Sequence, residues 1–372
     1  MAAGDLYVGL ARARAVVVLD TTTDLERRRI SLAALGQQNI PSRITVGAAG
    51  NAAVVPLIDR QLRVGVIGGR RDRAPDARRA IPGRGPSAED CAPLSVGAGW
   101  PTGRNGGSEV ADTLAADGQG HAYVLVGDAG FSQPSYAAVI DLPRSALLRH
   151  LPLAPAGETV IALAGESRGE RLFASIWAWD ETATQTGRAA GRLVALDTAL
   201  GTPLVQASLA SDAVVTDVTV AAPPPGAPWT VGTVVYAVVG HPGPNSREDD
   251  WWSPHMRFSL AAFDVPHLDP LGWWPLDERP RAVAVTPDGR CAYLFNAGRG
   301  LSGALACLDL ARGFVTHRWE LPAGCVGPAL SPLGKAYMAD PFGDRLLRFD
   351  TYSNRILEAL PLQGAPIALA VG

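Results

Sequence analysis

The most unusual segment for chemistry is residues 241–255, HPGPNSREDDWWSPH. It combines two imidazoles, three consecutive acids and a tryptophan pair: His241, Glu248, Asp249, Asp250, Trp251, Trp252 and His255. Indole rings stack on flat ligands, while a carboxylate or imidazole moves a proton. We therefore predict His241, Asp249 and Asp250 as catalytic candidates and Trp251, Trp252 and His255 as ligand contacts. The alternative is a loop that packs its indoles on the protein and solvates its acids.

A second aromatic group precedes this segment, at Trp177 and Trp179. Trp179 facing Trp251 or Trp252 would wall a pocket suited to an apolar or aromatic small molecule. The alternative is ordinary packing between neighbouring repeats.

A third group of candidates consists of charged residues in the strands that should line a central channel. Asp112 and Asp217 occupy equivalent places in their repeats, and Glu158 and Arg281 lie near strand entrances. Two carboxylates and a guanidinium around a narrow channel would form an acid–base or anion site. The alternative is a polar, water-filled channel in which any buried carboxylate is hydrogen-bonded.

Other signals for metals, cofactors or nucleophiles are weak. Cys91, Cys291, Cys307 and Cys325 form no CxxC pair, and the fourteen-residue spacing of His241 and His255 matches no metal site. We predict no metal and no cofactor, and four free thiols, with Cys291 and Cys307 on neighbouring strands. The GxSxG string at Gly165 is not followed by a helix, so we interpret it as a hairpin turn.

Composition narrows the possible partners. The 372 residues carry a net charge of −3, with Lys335 as the only lysine. No basic field favours nucleic acid, and no run of about 18 apolar residues favours a membrane. The N-terminus has no basic and apolar leader pattern, so we expect a cytoplasmic protein, or an exported one whose leader has been removed. The expected partner is a small molecule or a protein.

The elements that must position these residues are repeats of roughly 45 residues, the length of one propeller blade. Four short β-type runs separated by turn residues start at Arg281, and four more start at Gly327. The same frame recurs upstream from Glu109, Glu158 and Val214, and less regularly from Ser42. The pattern predicts strands throughout.

The chain ends complete the count of blades. The chain opens with three strand-like runs, from Leu6, Arg14 and Leu25, and closes with one, APIALAVG from Ala365. We therefore predict an all-β, seven-bladed β-propeller with four antiparallel strands per blade, in which the C-terminal strand closes the N-terminal blade. Residues 1–372 form one domain with an irregular insertion at residues 69–107.

Loop lengths indicate where a site would lie. The connections between second and third strands are long in three consecutive blades, at Asp128–Ser135, Asp180–Ala190 and His241–Pro254. All three should emerge on the same face, and long loops on a rigid scaffold commonly carry binding.

The turn Pro287-Asp288-Gly289 and the tails Leu308-Asp309, Leu196-Asp197, Ile140-Asp141 and Leu19-Asp20 resemble the YVTN-type seven-bladed repeat. The opening LYVGLARARAVVVLDT is similar to propeller subunits of amine dehydrogenases, and phosphogluconolactonase-type lactonases share the architecture. Members of this repeat class range from enzymes to inert scaffolds, so the resemblance implies a fold and leaves the function open.

Three functions follow from these patterns. The first is a binding or scaffold propeller that recognises a ligand or partner on its loop-rich face. The second is an enzyme that performs acid–base chemistry, such as lactone hydrolysis, isomerisation or cyclisation, on a small apolar or aromatic molecule. The third is a propeller subunit of an amine dehydrogenase-like redox complex whose cofactor is carried by another chain.

Overall fold

The computed structural model describes residues 4–33, 40–47, 50–56, 63–68, 91–95, 114–126, 134–179, 189–210, 213–229, 231–241, 256–297 and 303–372. These residues form seven antiparallel sheets of four strands each, arranged as a ring. The predicted all-β, seven-bladed propeller is therefore confirmed. Within the described ranges no helix is long and apolar enough to cross a membrane.

Blades 1 to 4 are built from the strands between residues 5 and 206, with the last strand of the chain added to blade 1. These strands are β1 (Asp5–Leu10), β2 (Ala15–Asp20), β3 (Glu26–Ser31), β4 (Pro41–Val46), β5 (Ala52–Pro56), β6 (Arg63–Ile67), β7 (Cys91–Ser95), β8 (Leu114–Ala116), β9 (His121–Val126), β10 (Ser135–Asp141), β11 (Ala146–Ala154), β12 (Glu158–Gly165), β13 (Arg171–Trp179), β14 (Ala189–Asp197) and β15 (Pro203–Gln206). Blade 1 is β28-β1-β2-β3, and blades 2, 3 and 4 begin at β4, β8 and β12.

Blades 5 to 7 follow the same order from the inner to the outer strand. Their strands are β16 (Val214–Ala221), β17 (Val234–His241), β18 (Arg257–Asp264), β19 (Pro270–Leu276), β20 (Ala282–Val285), β21 (Cys291–Ala297), β22 (Gly303–Asp309), β23 (Phe314–Leu321), β24 (Val326–Leu330), β25 (Lys335–Asp340), β26 (Arg345–Asp350) and β27 (Arg355–Pro361), followed by the closing strand β28 (Pro366–Val371). The first strand of each blade lies next to the first strands of both neighbouring blades, so these seven strands surround the central channel.

The ring closes through the two ends of the chain, as predicted. Strand β28 pairs with β1 in an antiparallel register that places Leu6 opposite Val371 and Val8 opposite Leu369. Two backbone hydrogen bonds between Asp5 and Gly372, of 3.2 and 3.0 Å, extend the ladder to the last residue. The inner edge of β1 is thereby paired with another strand.

The predicted insertion at residues 69–107 contains a strand. Cys91–Ser95 forms β7, pairs with β6 and completes blade 2. Residues 69–90 and 96–107 lie outside the described residues.

The core consists of layers between neighbouring blades. A second strand such as β17, with the sequence VVYAVVGH, is buried at its first seven residues. Both faces of such a strand are covered by adjacent blades, which explains an uninterrupted apolar run in place of alternation. The outer strand of the same blade, β19, has an exposed Trp273 next to a buried Trp274.

One five-residue turn joins the third and fourth strands in six of the seven blades. Its first residue is an aspartate whose Oδ1 accepts backbone N–H groups from the turn, at Asp20, Asp141, Asp197, Asp264, Asp309 and Asp350. Its fifth residue has a positive φ, at Asp24, Ser145, Gly201, Leu268, Gly313 and Asn354. The Leu-Asp and Ile-Asp tails of the sequence repeat are thus the start of a turn closed by an aspartate side chain.

The Gly289→Ala variant should be less stable than the Gly226→Ala variant. The two glycines have similar φ values of 69° and 77°, so both substitutions carry a left-handed strain of about 1–2 kcal/mol. A Cβ at Gly289 would lie 2.2 Å from the carbonyl oxygen of Pro223 in blade 5, whereas Gly226 has no atom within 4 Å. Urea unfolding of the two variants measures the difference. Equal midpoints would contradict close packing between these turns.

Candidate functional site

The propeller has two faces with different connections. One face, here called the turn face, carries the connections between first and second strands and those between third and fourth strands. In blade 6 these two connections are hydrogen-bonded, since the Leu310 N–H donates to the Arg290 C=O. On the opposite face, here the loop face, second-to-third strand connections meet those between blades, as where Ala11 N–H donates to Ala365 C=O. The connections on the loop face in blades 3, 4 and 5 span residues 127–134, 180–188 and 242–256. The three long loops of the sequence therefore start from strand ends on one face.

Several candidate residues lie outside the described residues. They are Asp112, Asp249, Asp250, Trp251, Trp252, His255 and the side chain of Trp179. Their assignment to a site stays a prediction.

Glu158 and Trp177 lie on opposite faces of blade 4. Glu158 forms an ion pair with Arg192. Arg192 is the cross-strand partner of Ile176, which packs in the apolar layer between blades 4 and 3, so the ion pair lies on the face toward blade 3. The indole N–H of Trp177 instead donates to the Val215 carbonyl of blade 5 at 2.9 Å. The structure does not bring these two candidates together.

Asp217 connects two blades. The side chain is buried, its Oδ1 accepts the Val218 N–H at 2.9 Å, and its Oδ2 accepts the Val283 N–H at 2.7 Å. Val283 belongs to the first strand of blade 6, whose channel-side edge has no strand partner. The expected hydrogen bonding of a buried carboxylate is confirmed, and a catalytic role for Asp217 stays a prediction. Arg281, two residues before Val283, is exposed.

His241 ends β17 at the loop face and contacts an aromatic residue that sequence reasoning missed. The ring centroids of His241 and Trp273 are 6.1 Å apart, and Trp273 is 43% exposed. The neighbouring Trp274 is buried and donates its indole N–H to the Leu310 carbonyl at 3.1 Å. Strand alternation through Trp273-Trp274 is the signal that would have identified one exposed indole.

The GxSxG string at Gly165 is a hairpin turn between β12 and β13, as predicted. Glu166 N–H donates to Arg171 C=O at 3.0 Å, and Gly169 N–H donates to Glu166 C=O at 2.9 Å. Burial raises the pKa of Glu166, although the charge of Arg171 opposes this shift. The exposed Ser167 lies in the turn and not at a strand-to-helix elbow.

A charged cluster joins blade 7 to blade 1 on the turn face. Asp24 Oδ2 accepts hydrogen bonds from Lys335 Nζ at 2.6 Å and Arg348 at 2.5 Å, and its Oδ1 accepts one from the Tyr337 hydroxyl at 2.8 Å. Burial opposes ionisation of Asp24, but the hydrogen bonds from Lys335, Tyr337 and Arg348 outweigh it and hold the pKa of the carboxyl below its usual value. The only lysine of the chain therefore acts in ring closure.

A cavity of about 160 Å³ opens at the next junction, between blades 6 and 7 on the turn face. Its lining comprises Thr286, Asp288, Arg290, Cys291, Asp309, Arg312, Thr316, His317, Thr351, Tyr352 and Asn354. A second cavity of similar volume lies between blades 3 and 4 and is lined by apolar side chains together with Arg192 and Gln206. His241, the one residue of the 241–255 segment that the structure describes, lines neither cavity.

Comparison with solved structures supports the fold. Dihydro-heme d1 dehydrogenase NirN, solved in complex with DHE, is similar over 98% of this chain and 74% of its own, with 11% identity and a TM-score of 0.56. Apo AztD from Citrobacter koseri is similar over 100% of this chain and 98% of its own, with 14% identity and a TM-score of 0.53. A functionally unknown protein from Desulfotomaculum acetoxidans matches over 99% of this chain and 98% of its own, with 12% identity and a TM-score of 0.56.

No protein-family model and no curated protein matches the sequence. At these identities the likeness to solved structures shows the propeller architecture, and propellers of one architecture perform unrelated functions.

Proposed function

We propose that this protein is a binding propeller that recognises a small aromatic or apolar molecule, or a partner protein, on the loop face over blades 3 to 5. The observation that carries the proposal is the unequal distribution of connections. Three consecutive second-to-third strand connections on the loop face span residues 127–134, 180–188 and 242–256. Six of the seven third-to-fourth strand connections on the turn face are five-residue turns closed by an aspartate.

The described ends of blades 4 and 5 offer suitable chemistry beside these connections. His241 and the partly exposed Trp273 form an aromatic contact at the end of β17. The Glu158–Arg192 ion pair lies near the loop-face end of blade 4. An aromatic surface beside paired charges suits a flat molecule that carries a polar group.

We also propose that the blades are repeats of the YVTN type. The Leu-Asp tails and the Pro-Asp-Gly turn support a repeat of the YVTN type. The acid–base enzyme and the redox subunit remain alternatives. No contact among the described residues favours the enzyme or the redox subunit. The similarity to NirN, at 11% identity, concerns the propeller architecture alone.

The proposal is tested by replacing residues 242–255 with a short Gly-Ser linker. We expect a screen of aromatic acids, amines and lactones to contain compounds that raise the melting temperature of the parent protein, because a ligand that binds only the folded state stabilises it. The linker variant should lose this shift.

The matched control removes residues 72–88, which connect β6 to β7 on the turn face, and should keep the ligand-induced shift. A shift that survives replacement of 242–255 but disappears in the control would contradict recognition on the loop face. Turnover of a lactone by the parent protein would favour the enzyme.

A further inference from the structure

Two cysteines of blade 6 occupy the positions that two cations occupy in blade 7. Strand β21 begins with Cys291, and β25 begins with Lys335; these residues pair with the equivalent turn aspartates Asp309 and Asp350. Two residues further along, Tyr293 pairs with Cys307 and Tyr337 pairs with Arg348. Cys291 and Cys307 therefore correspond to Lys335 and Arg348.

The residue that faces each of these groups from the following blade is also equivalent at the two junctions. It is the fifth residue of the turn between the third and fourth strands: Asp24 at the junction of blades 7 and 1, and Asn354 at the junction of blades 6 and 7. Their φ values are 57° and 53°. Tyr337 donates its hydroxyl to Asp24 at 2.8 Å, and Tyr293 donates its hydroxyl to Asn354 at 2.9 Å. The two junctions share one frame and differ in the groups that fill it.

The junction of blades 7 and 1 is filled by the long side chains of Lys335 and Arg348, whereas thiols are short. The cavity of about 160 Å³ therefore opens at the junction of blades 6 and 7, with Cys291 in its wall. Cys307 is buried behind it, and the strand register places the two thiols at diagonal positions on the same face of blade 6. Both cysteines are free.

We propose that Cys291 and Cys307 form a binding site for one soft monovalent metal ion of the Cu(I) class. Thiolate sulfur is the ligand type that selects Cu(I) over hard cations. Two thiolates satisfy a monovalent soft ion in a linear arrangement.

The donor set consists of these two sulfurs. Asn354 Oδ1 accepts the Tyr293 hydroxyl, and Asp309 Oδ1 accepts two backbone N–H groups of its turn. Among the described residues no group of three or more His, Cys, Asp and Glu side chains is placed to hold a metal ion. The arrangement fits a two-coordinate ion and not a tetrahedral zinc site.

Binding of one metal ion releases two protons from the thiols. Each thiol loses its proton, two sulfur–metal bonds form, and no electron is transferred, so the bound unit carries one negative charge. The guanidinium groups of Arg290 and Arg312 line the same cavity and offset the carboxylates of Asp288 and Asp309, which also line it.

The test is a titration of the reduced, full-length protein with Cu(I) under argon, in competition with a chromophoric Cu(I) chelator. We expect the protein to take up one tightly held equivalent, with the ultraviolet charge-transfer absorption of copper–thiolate bonds. Loss of a hydrogen-bond partner of a metal ligand already weakens metal sites about 10- to 100-fold. Cys291→Ser and Cys307→Ser, which each remove a ligand, should exceed that loss.

Cys91→Ser provides the matched control, because this thiol is buried in a different layer of the propeller. It should retain the tight equivalent. If Cys307→Ser does not fold, the test relies on Cys291→Ser, because Cys291 is partly exposed. A circular dichroism melt then checks that the Cys291→Ser variant is folded. A parent protein without a tight equivalent, or a folded Cys291→Ser variant that binds as tightly as the parent, would overturn the proposal.

Discussion

A protein that ends at Gly364 should fail to form the closed ring. The deletion removes β28, the innermost strand of blade 1, which pairs with β1 and lies beside β24 and β4. Leu6, Val8 and Leu10 are fully buried in the intact protein and would lose one covering strand. Each such side chain gains about 1.5–3 kcal/mol from burial, and a whole protein is stable by only about 5–15 kcal/mol.

Far-UV circular dichroism, size-exclusion elution and dye binding to exposed apolar surface measure the outcome. A circular permutant is the matched control, since the backbones of Gly4 and Gly372 are adjacent, with Asp5 and Gly372 hydrogen-bonded. Joining Gly372 to Gly4 through a short linker and opening the chain in the turn at residues 310–313 keeps every strand. The permutant should fold. A truncated protein that melts like the parent would refute the ring closure.

The Asp24→Ala variant should show the largest effect expected of a single substitution. It leaves Lys335 and Arg348 in a largely buried junction without their shared carboxylate, whose side chain is only 10% exposed. Removing one member of a buried ion pair costs about 3–5 kcal/mol, because the remaining charge loses its compensation. Urea unfolding at neutral pH measures the change in the free energy of unfolding.

Glu26→Ala is the control for the loss of an acid on blade 1. Glu26 pairs with Arg29 at the surface, where both side chains are about one third or more exposed. Exposed pairs contribute about 0–1 kcal/mol, so the unfolding midpoint should barely move. Similar losses in the two variants would contradict a special role for the junction.

The effect of Asp24 should also depend on pH in a defined direction. Its hydrogen bonds hold the pKa in the folded protein below the value of about 3.9 expected in the unfolded chain. The stabilisation is therefore complete above that unfolded value and is lost as the pH falls through the folded value. The stability difference between the parent and Asp24→Ala should shrink over this acidic range and stay constant above pH 6.

The candidate site was only partly accessible from the sequence. The sequence identified His241 and Trp177 as aromatic candidates in long loops, Glu158 as a charged residue near a strand entrance and Asp217 as a carboxylate on an inner strand. It could not show that Trp177 and Glu158 lie on opposite faces of blade 4. Their relation depends on the register of β12 on β13, which pairs Glu158 with Ala178 and Thr159 with Trp177 and which the sequence did not reveal.

The sequence by itself determined the architecture, because the blade is a local pattern repeated along the chain. The repeated groups of four strand-like runs predicted the four-stranded blades, and the lone run after Ala365 predicted ring closure. Strand alternation and turn chemistry act over a few residues and are readable one blade at a time.

Only the tertiary structure decided which side chains meet between blades. Lys335 and Asp24 are 311 positions apart, yet they form one ion pair, and Tyr293 reaches Asn354 in the following blade. The cavity beside Cys291 arises because short thiols stand where the next junction has Lys335 and Arg348. Such contacts depend on how neighbouring sheets stack and twist around the ring, which no local periodicity encodes.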